Sequence, residues 1–257
     1  MHGEAGLEAE GLGGSSGLDP GSLERLVPDE LRPGDVTGEE ALRIGLERYE
    51  FAARHARPGR LLDIACGVGY GTRLLADRAP QVSSALGIDL AEVAVAYGRE
   101  HYADDRVSFA CGDAMAFEDA QGFDTVVSIE TIEHLPDPRG FVDRITQLLR
   151  PGGVLVASVP TTPSVDANPH HLHDFDDRSF RRLFAGRSLE ELASFEQDQP
   201  YSLPAILTRS EARLQEVRRN LPLYYLKHPG SLVRRLASTL RHGFKNRYLT
   251  IAWRRPD

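Results

Sequence analysis

"LLDIACGVGYG", residues 61–71, decides the fold, because an apolar run ends there on a turn punctuated by Gly67, Gly69 and Gly71. Such a run closing on glycines predicts a buried strand that gives way to a helix. The glycines let the backbone approach a ligand closely, and a helix starting near Tyr70 offers unpaired N–H groups and a positive dipole end. Their spacing is GxGxG, so the full GxGxxG dinucleotide fingerprint is absent.

The same pattern repeats on either side. Strands are expected at "RLLDIA", "SSALGID", "RVSFACG", "FDTVVSI" and "GVLVASV", with helices over 70–79, 91–102 and 138–149 and a helical lead-in from residue 38. Strand–helix alternation predicts an α/β protein with a parallel sheet covered on both faces. After Val159 the regularity stops at "PTTPSVDANPHHLHDFD", a loop at the strand ends where such sheets bind ligands. A helix at 177–185, a strand at 188–196, a basic helical stretch over 205–243 and a last strand "NRYLTIAW" complete the reading. The expected organisation is a flexible arm and lead-in at 1–37, a core at 38–198, a basic helical insertion at 199–243 and a final strand and tail at 244–257. The insertion would cap the substrate site or make a subunit interface.

The 257 residues carry a formal charge of −8, unevenly spread. From Arg209 onward twelve Lys/Arg face three Asp/Glu. That basic region reads as solvated helix faces or as a wall for an anionic substrate such as a nucleotide-sugar diphosphate. The acidic balance disfavours nucleic acid as a partner. No apolar stretch is long enough to span a membrane, and the acidic, glycine-rich start lacks the blocks of a signal peptide, so a cytoplasmic protein without membrane partners is expected. Cys66 and Cys111 read as small buried thiols, not as a disulfide or metal knuckle.

Acidic residues close the successive strands: Asp63 before the glycine turn, Asp89 in "LGIDL" and Asp113 in "CGDAM". A carboxylate at the second strand end is placed to accept the hydroxyls of an adenosine ribose. With its Asp63-x-x-Cys66-Gly67-x-Gly69 motif the chain resembles the class I S-adenosylmethionine (SAM)-dependent methyltransferases, across residues 40–198 and the terminal strand. The resemblance implies a Rossmann-like fold, a mostly parallel seven-stranded sheet with an antiparallel last strand. It also implies SAM as cofactor. The loop of Asp63, Ala65, Gly67 and Gly69 would hold its amino-acid end, Asp89 and Leu90 its ribose, and Asp113 and Ala114 would border adenine. Ile129 would complete the pocket. Redox use of a nucleotide-binding sheet is the alternative.

"SIETIEHLPDP" follows the fourth strand. One helical turn over 130–135, stopped by Pro136, would set Glu130, Glu133 and His134 on one face. Converging carboxylates and an imidazole are costly unless solvated, paired or holding a cation, and an oxygen-rich set with imidazole suits Mg²⁺ or Mn²⁺. His170, His171 and His173 lie beyond the next strand at the same sheet edge, so the missing ligand could come from them. The set resembles the metal site of small-RNA 2′-O-methyltransferases, through Glu-x-x-Glu-His and His173-Asp174-Phe175-Asp176. The Glu-His pair is also similar to that of ubiquinone-pathway O-methyltransferases. These resemblances imply Glu130, Glu133, His134 and His173 as metal ligands, with His171 in place of His173 as the open alternative. His171 is assigned as general base, with His134 and Glu133 beside it in the catalytic set; pocket shaping and loop packing are the other roles open to these residues.

The whole chain, Pro/His loop included, resembles antibiotic-pathway sugar O-methyltransferases. That implies methyl transfer to a hydroxyl of a nucleotide-linked deoxysugar, the 3′-hydroxyl of TDP-rhamnose, by an enzyme that could form a homo-oligomer. Methylation of a glycosylated natural product, RNA 2′-O-methylation and a non-enzymatic SAM-binding scaffold are the alternatives.

Overall fold

The computed structural model describes residues 26–31, 34–200, 217–218 and 220–257. The N-terminal arm and the start of the basic stretch, residues 205–216, lie outside the described residues. A short 3₁₀ turn, Pro28–Glu30, precedes α1 (Val36–His55), whose Asp35 N-cap accepts the Gly38 N–H at 2.9 Å. Then follow β1 (Gly59–Ile64), α2 (Tyr70–Arg78), β2 (Val82–Asp89), α3 (Glu92–His101), β3 (Val107–Cys111), β4 (Phe123–Ile129), α4 (Pro138–Leu148) and β5 (Leu149–Pro160). The chain continues through α5 (Asp177–Phe184), β6 (Glu190–Pro200), α6 (Leu221–Lys227), α7 (Pro229–His242) and β7 (Lys245–Arg254).

The strands form one seven-stranded sheet in the order β3-β2-β1-β4-β5-β7-β6. The first five run parallel, whereas β7 is antiparallel to both β5 and β6, as the expected fold requires. Side chains alternate across the pleat, so adjacent leucines serve opposite cores. Leu61 joins Phe51, Leu75, Val95 and Phe109 on the face covered by α1, α2 and α3, while Leu62 joins Phe123, Phe141, Ile145, Phe180 and Trp253 on the other. With both faces buried, the inner strands read as nearly continuous apolar runs.

The strand order reverses between β1 and β4, which places the ligand crevice outside their carboxyl ends. Asp137 caps α4 by accepting the Gly140 N–H at 3.0 Å, with Pro138 at the first helical position, and so separates the Glu/His segment from the helix behind it. Among the described residues no helix is long and apolar enough to cross a membrane.

Two local expectations are corrected. Residues 130–135 make no α-turn: Ile132–His134 is 3₁₀, and Glu130 stands outside it at φ +51°. Cys66 is buried as expected, but Cys111, the last residue of the edge strand β3, is exposed.

Candidate active site

The glycine turn is built from two glycines with different tasks. Gly69, the N-cap of α2, has φ +91°, and a Cβ there would lie 2.4 Å from Cε1 of the buried Phe109. Gly67 has φ +59°, but a Cβ there would meet nothing within 4 Å. The first glycine is required by packing, the second leaves open space at the strand end.

Asp89 holds that space from the neighbouring strand. Its Oδ2 accepts the Gly67 N–H at 2.9 Å and its Oδ1 accepts the Ala91 N–H at 2.9 Å. The carboxylate thereby fixes the turn while keeping lone pairs for hydroxyl donors. Leu90 beside it is 71% exposed, an apolar side chain held out at the crevice. Asp113 is exposed, and its Oδ1 accepts the Met115 N–H at 2.8 Å; Ala114 packs partly into the second core and Ile129 is half-buried against the first. Ala65, at φ +62°, makes the bend out of β1.

Asp63, expected beside the amino-acid end of the cofactor, sits beneath the turn. It is 0% exposed, and its Oδ2 accepts the Thr72 hydroxyl at 2.7 Å. In this conformation its carboxylate faces no open space; it braces β1 against α2 from beneath the turn. Burial pushes its pKa up to about 7, against the opposing pull of hydrogen bonds from Thr72 and Tyr49. Burial likewise pushes the Cys66 thiol up, which leaves it an inert core group.

The histidine loop, residues 161–176, folds back on the 3₁₀ turn that follows β4. The Leu172 and His173 N–H groups both donate to the Glu133 carbonyl, at 2.8 and 3.2 Å. This pairing brings ligand atoms of Glu133, His134 and His171 within 4.8 Å of one another. His134 and His171 meet edge to face at 4.6 Å between ring centroids, and His134 Nε2 lies 3.9 Å from Glu133 Oε1. Glu133 is fully buried, while both imidazoles retain some exposure. His171 Nδ1 pairs with Ser164 Oγ at 2.7 Å. Burial, reinforced by the charges of His134 and His170, drives the His171 pKa down to about 3, so its ring is neutral at physiological pH.

The other expected ligands point elsewhere. Glu130 Oε1 accepts the Ser158 hydroxyl at 2.8 Å, its own N–H donates to the same Oγ at 3.1 Å, and Arg48 Nη1 lies 3.7 Å from that carboxylate. The left-handed bend at Glu130 turns it toward α1 and away from Glu133. His173 Nε2 pairs with the Leu135 carbonyl at 3.0 Å, and the exposed His170 gives its carbonyl to His134 Nδ1 at 3.3 Å. The cluster therefore contains His171, and neither Glu130 nor His173.

Residues that sequence reading did not single out complete the surroundings. The buried Arg48 stacks over the Tyr248 ring at 4.1 Å and donates to Gln197 at 3.0 Å, tying α1 to β6 and β7 behind Glu130. The Arg48–Glu130 pair leaves no local spacing signal, since 81 residues of sequence lie between its members.

The turn and Asp89 fit a cofactor carrying an amino-acid end and a ribose: a Cβ-free cradle opens at Gly67, and a carboxylate stands at its wall. The pattern of the methyltransferase domain family matches residues 62–157, the strands and turns just described. A protein of Mycolicibacterium smegmatis described as a probable S-adenosylmethionine-dependent methyltransferase is 33% identical over 186 residues, covering 64% of this chain and 70% of that protein. The ubiquinone biosynthesis O-methyltransferase of Leptothrix cholodnii is 34% identical over 110 residues, 40% of this chain and 46% of that enzyme. A solved structure of a candidate methyltransferase from Bacillus halodurans C-125 superposes with a TM-score of 0.65 at 16% identity, covering 83% of this chain and 99% of that one, a likeness of fold. With its glycine turn, strand order and relatives in agreement, the chain belongs to the class I SAM-dependent methyltransferases, and it is an enzyme of that family.

Proposed function

We propose that the enzyme methylates a hydroxyl of a nucleotide-linked deoxysugar, with the 3′-hydroxyl of TDP-rhamnose as the first acceptor to test. The observation that carries the reading is the convergence of Glu133, His134 and His171 across the crevice from the glycine turn. Gly67, Gly69 and Asp89 would hold SAM, which supplies a methyl group already activated on a sulfonium. What remains for the chain is to hold the acceptor oxygen in line, exclude water and take its proton.

A sugar hydroxyl is a poor nucleophile until that proton leaves. His134, with the buried Glu133 carboxylate 3.9 Å from its Nε2, is suited to accept it, because the imidazolium so formed gains a counter-charge. His171, held neutral by burial, is a weak proton acceptor but in the state a cation requires. One carboxylate and two imidazoles also make a donor set for a divalent ion, with Mn²⁺ a better match than Mg²⁺ for so much nitrogen. Glu133, His134 and His171 would hold such an ion, which would polarise the acceptor oxygen. The described cations of 217–257 are partly paired, Arg235 with Asp166, Lys245 with Asp198 and Arg247 with Glu196, and those outside these pairs, Lys227 and Arg241 among them, support an acceptor bearing a diphosphate.

The test is transfer of labelled methyl from SAM to a panel of TDP-deoxysugars with EDTA, with Mg²⁺ and with Mn²⁺. Turnover lost on chelation and restored by a divalent ion is the expected result. Turnover indifferent to chelation would keep the sugar and leave the Glu133–His134 pair as a metal-free base. Turnover on RNA or on a glycosylated natural product, with none on the panel, would overturn the acceptor.

A further inference from the structure

The histidine loop is gripped from a second side, by the C-terminal helices. Asp166 is 1% exposed, yet its carboxylate is closely partnered: Oδ2 accepts the Tyr225 hydroxyl of α6 at 2.6 Å and Arg235 Nε of α7 at 2.8 Å. A second Arg235 nitrogen donates to Oδ1, which makes the pair bidentate. Arg218 adds main-chain grip, its N–H donating to the Ala167 carbonyl at 2.9 Å and its Nε to the Asp166 carbonyl at 3.2 Å. A buried carboxylate with a forked guanidinium and a phenol is a fixed point, because removing either partner strands the other in a poorly solvated place.

That fixed point lies five residues before His171, and the intervening chain is braced. Ser164 Oγ pairs with His171 Nδ1 at 2.7 Å, and the Asn168 carbonyl accepts the His171 N–H at 3.4 Å. Asp174 Oδ1 accepts the N–H groups of Ser164 and Val165, at 2.8 and 3.1 Å, and so closes the loop across its base. His171 is therefore suspended between two anchors. One is the Glu133 carbonyl in the 3₁₀ turn after β4, and the other is the Asp166–Tyr225–Arg235 cluster.

We propose that Asp166, Tyr225 and Arg235 are positioning residues, a clamp through which the α6–α7 pair sets His171 against Glu133 and His134. The helical segment is thus part of the machinery and not only a cover over the acceptor. The inference rests on the reading of the Glu133–His134–His171 cluster as the acceptor centre, but the geometry it asserts can be read without any acceptor.

The first readout is the histidine ring spectrum, ¹H–¹⁵N, of the SAH-bound protein, with His171 assigned through His171→Ala. Asp166→Asn and Tyr225→Phe should each shift or broaden the His171 ring signals and leave those of His101, on α3, in place. SAH affinity should stay within about twofold. Unmoved His171 signals in both variants would overturn the clamp, as would equal disturbance of His101. The second readout is methyl transfer to TDP-rhamnose in a double-mutant cycle. Tyr225→Phe should lower kcat severalfold in the wild-type background and less than twofold in His171→Ala, because its effect passes through that ring. Equal losses in the two backgrounds would sink the clamp while the acceptor centre stands; a His171→Ala variant at wild-type kcat would sink the acceptor centre, whatever the ring spectra show of the geometry.

Discussion

Replacing Gly67 and Gly69 by alanine, one at a time, separates what the turn does for the fold from what it does for the ligand. Both positions have positive φ, so each alanine carries a backbone cost of about 1–2 kcal/mol. At Gly69 the new methyl also lies 2.4 Å from Phe109 Cε1, and Phe109 is only 6% exposed, so the ring cannot swing into solvent. Overpacking of that kind adds about 1–3 kcal/mol. Gly69→Ala should therefore lose about 2–5 kcal/mol, and at about 2–4 °C per kcal/mol for a chain of this size its Tm should fall by about 5–20 °C. Gly67→Ala meets nothing, so its Tm should fall by only about 2–8 °C. Its methyl nevertheless enters the space assigned to the cofactor, and a loss of about 1–3 kcal/mol there means about 5- to 150-fold weaker binding. Scanning calorimetry and SAH titration on the two variants give both numbers. Wild-type SAH affinity in Gly67→Ala, or equal Tm losses in the two variants, would refute the division of labour.

Asp89→Ala should weaken SAH binding by at least tenfold, because the turn loses the acceptor for the Gly67 and Ala91 N–H groups and the ribose loses its carboxylate; calorimetric affinity near wild type would misplace the cofactor. Asp63→Asn should change how stability depends on pH. The carboxyl is raised from its ordinary 3.8 to about 7, so wild-type folding is most favoured with the proton on and loses ground as pH climbs through that window. The Asn variant carries no such penalty, and its stability relative to wild type should rise between pH 4 and pH 7 by about 1–4 kcal/mol, read from urea midpoints. Parallel pH profiles for the two proteins would show that Asp63 keeps its charge in the fold.

The fold was legible because its signals are local. Apolar runs ending at Ile64, Asp89 and Ile129, each followed by turn residues, mark strand ends that the pleat and the helix period then enforce. The glycine turn was legible for the same reason, but the separate duties of Gly67 and Gly69 were not. They depend on Phe109, which reaches the turn from a strand two places away in the sheet. In the Glu/His segment the sequence argued for an α-turn, and a single left-handed residue, Glu130, broke the expected face. No spacing rule anticipates that bend, because it is held by Ser158 on the neighbouring strand and by Arg48 on α1. The choice between His171 and His173 likewise turned on which ring the Glu133 carbonyl and Ser164 bring inward. Asp166 carries no sequence signal, because the partners that bury it, Tyr225 and Arg235, lie far along the chain on α6 and α7.

The most direct test of the account is the rate of methyl transfer to TDP-rhamnose by Glu133→Gln and His171→Ala at saturating SAM, measured beside their SAH affinities. Both variants should bind SAH within about twofold of wild type, since neither residue belongs to the glycine turn, and both should lose about 10²-fold or more in kcat. Wild-type kcat in either variant would contradict the assignment of Glu133, His134 and His171 as the acceptor centre, and a loss of SAH affinity matching the loss of rate would move that residue into the cofactor pocket.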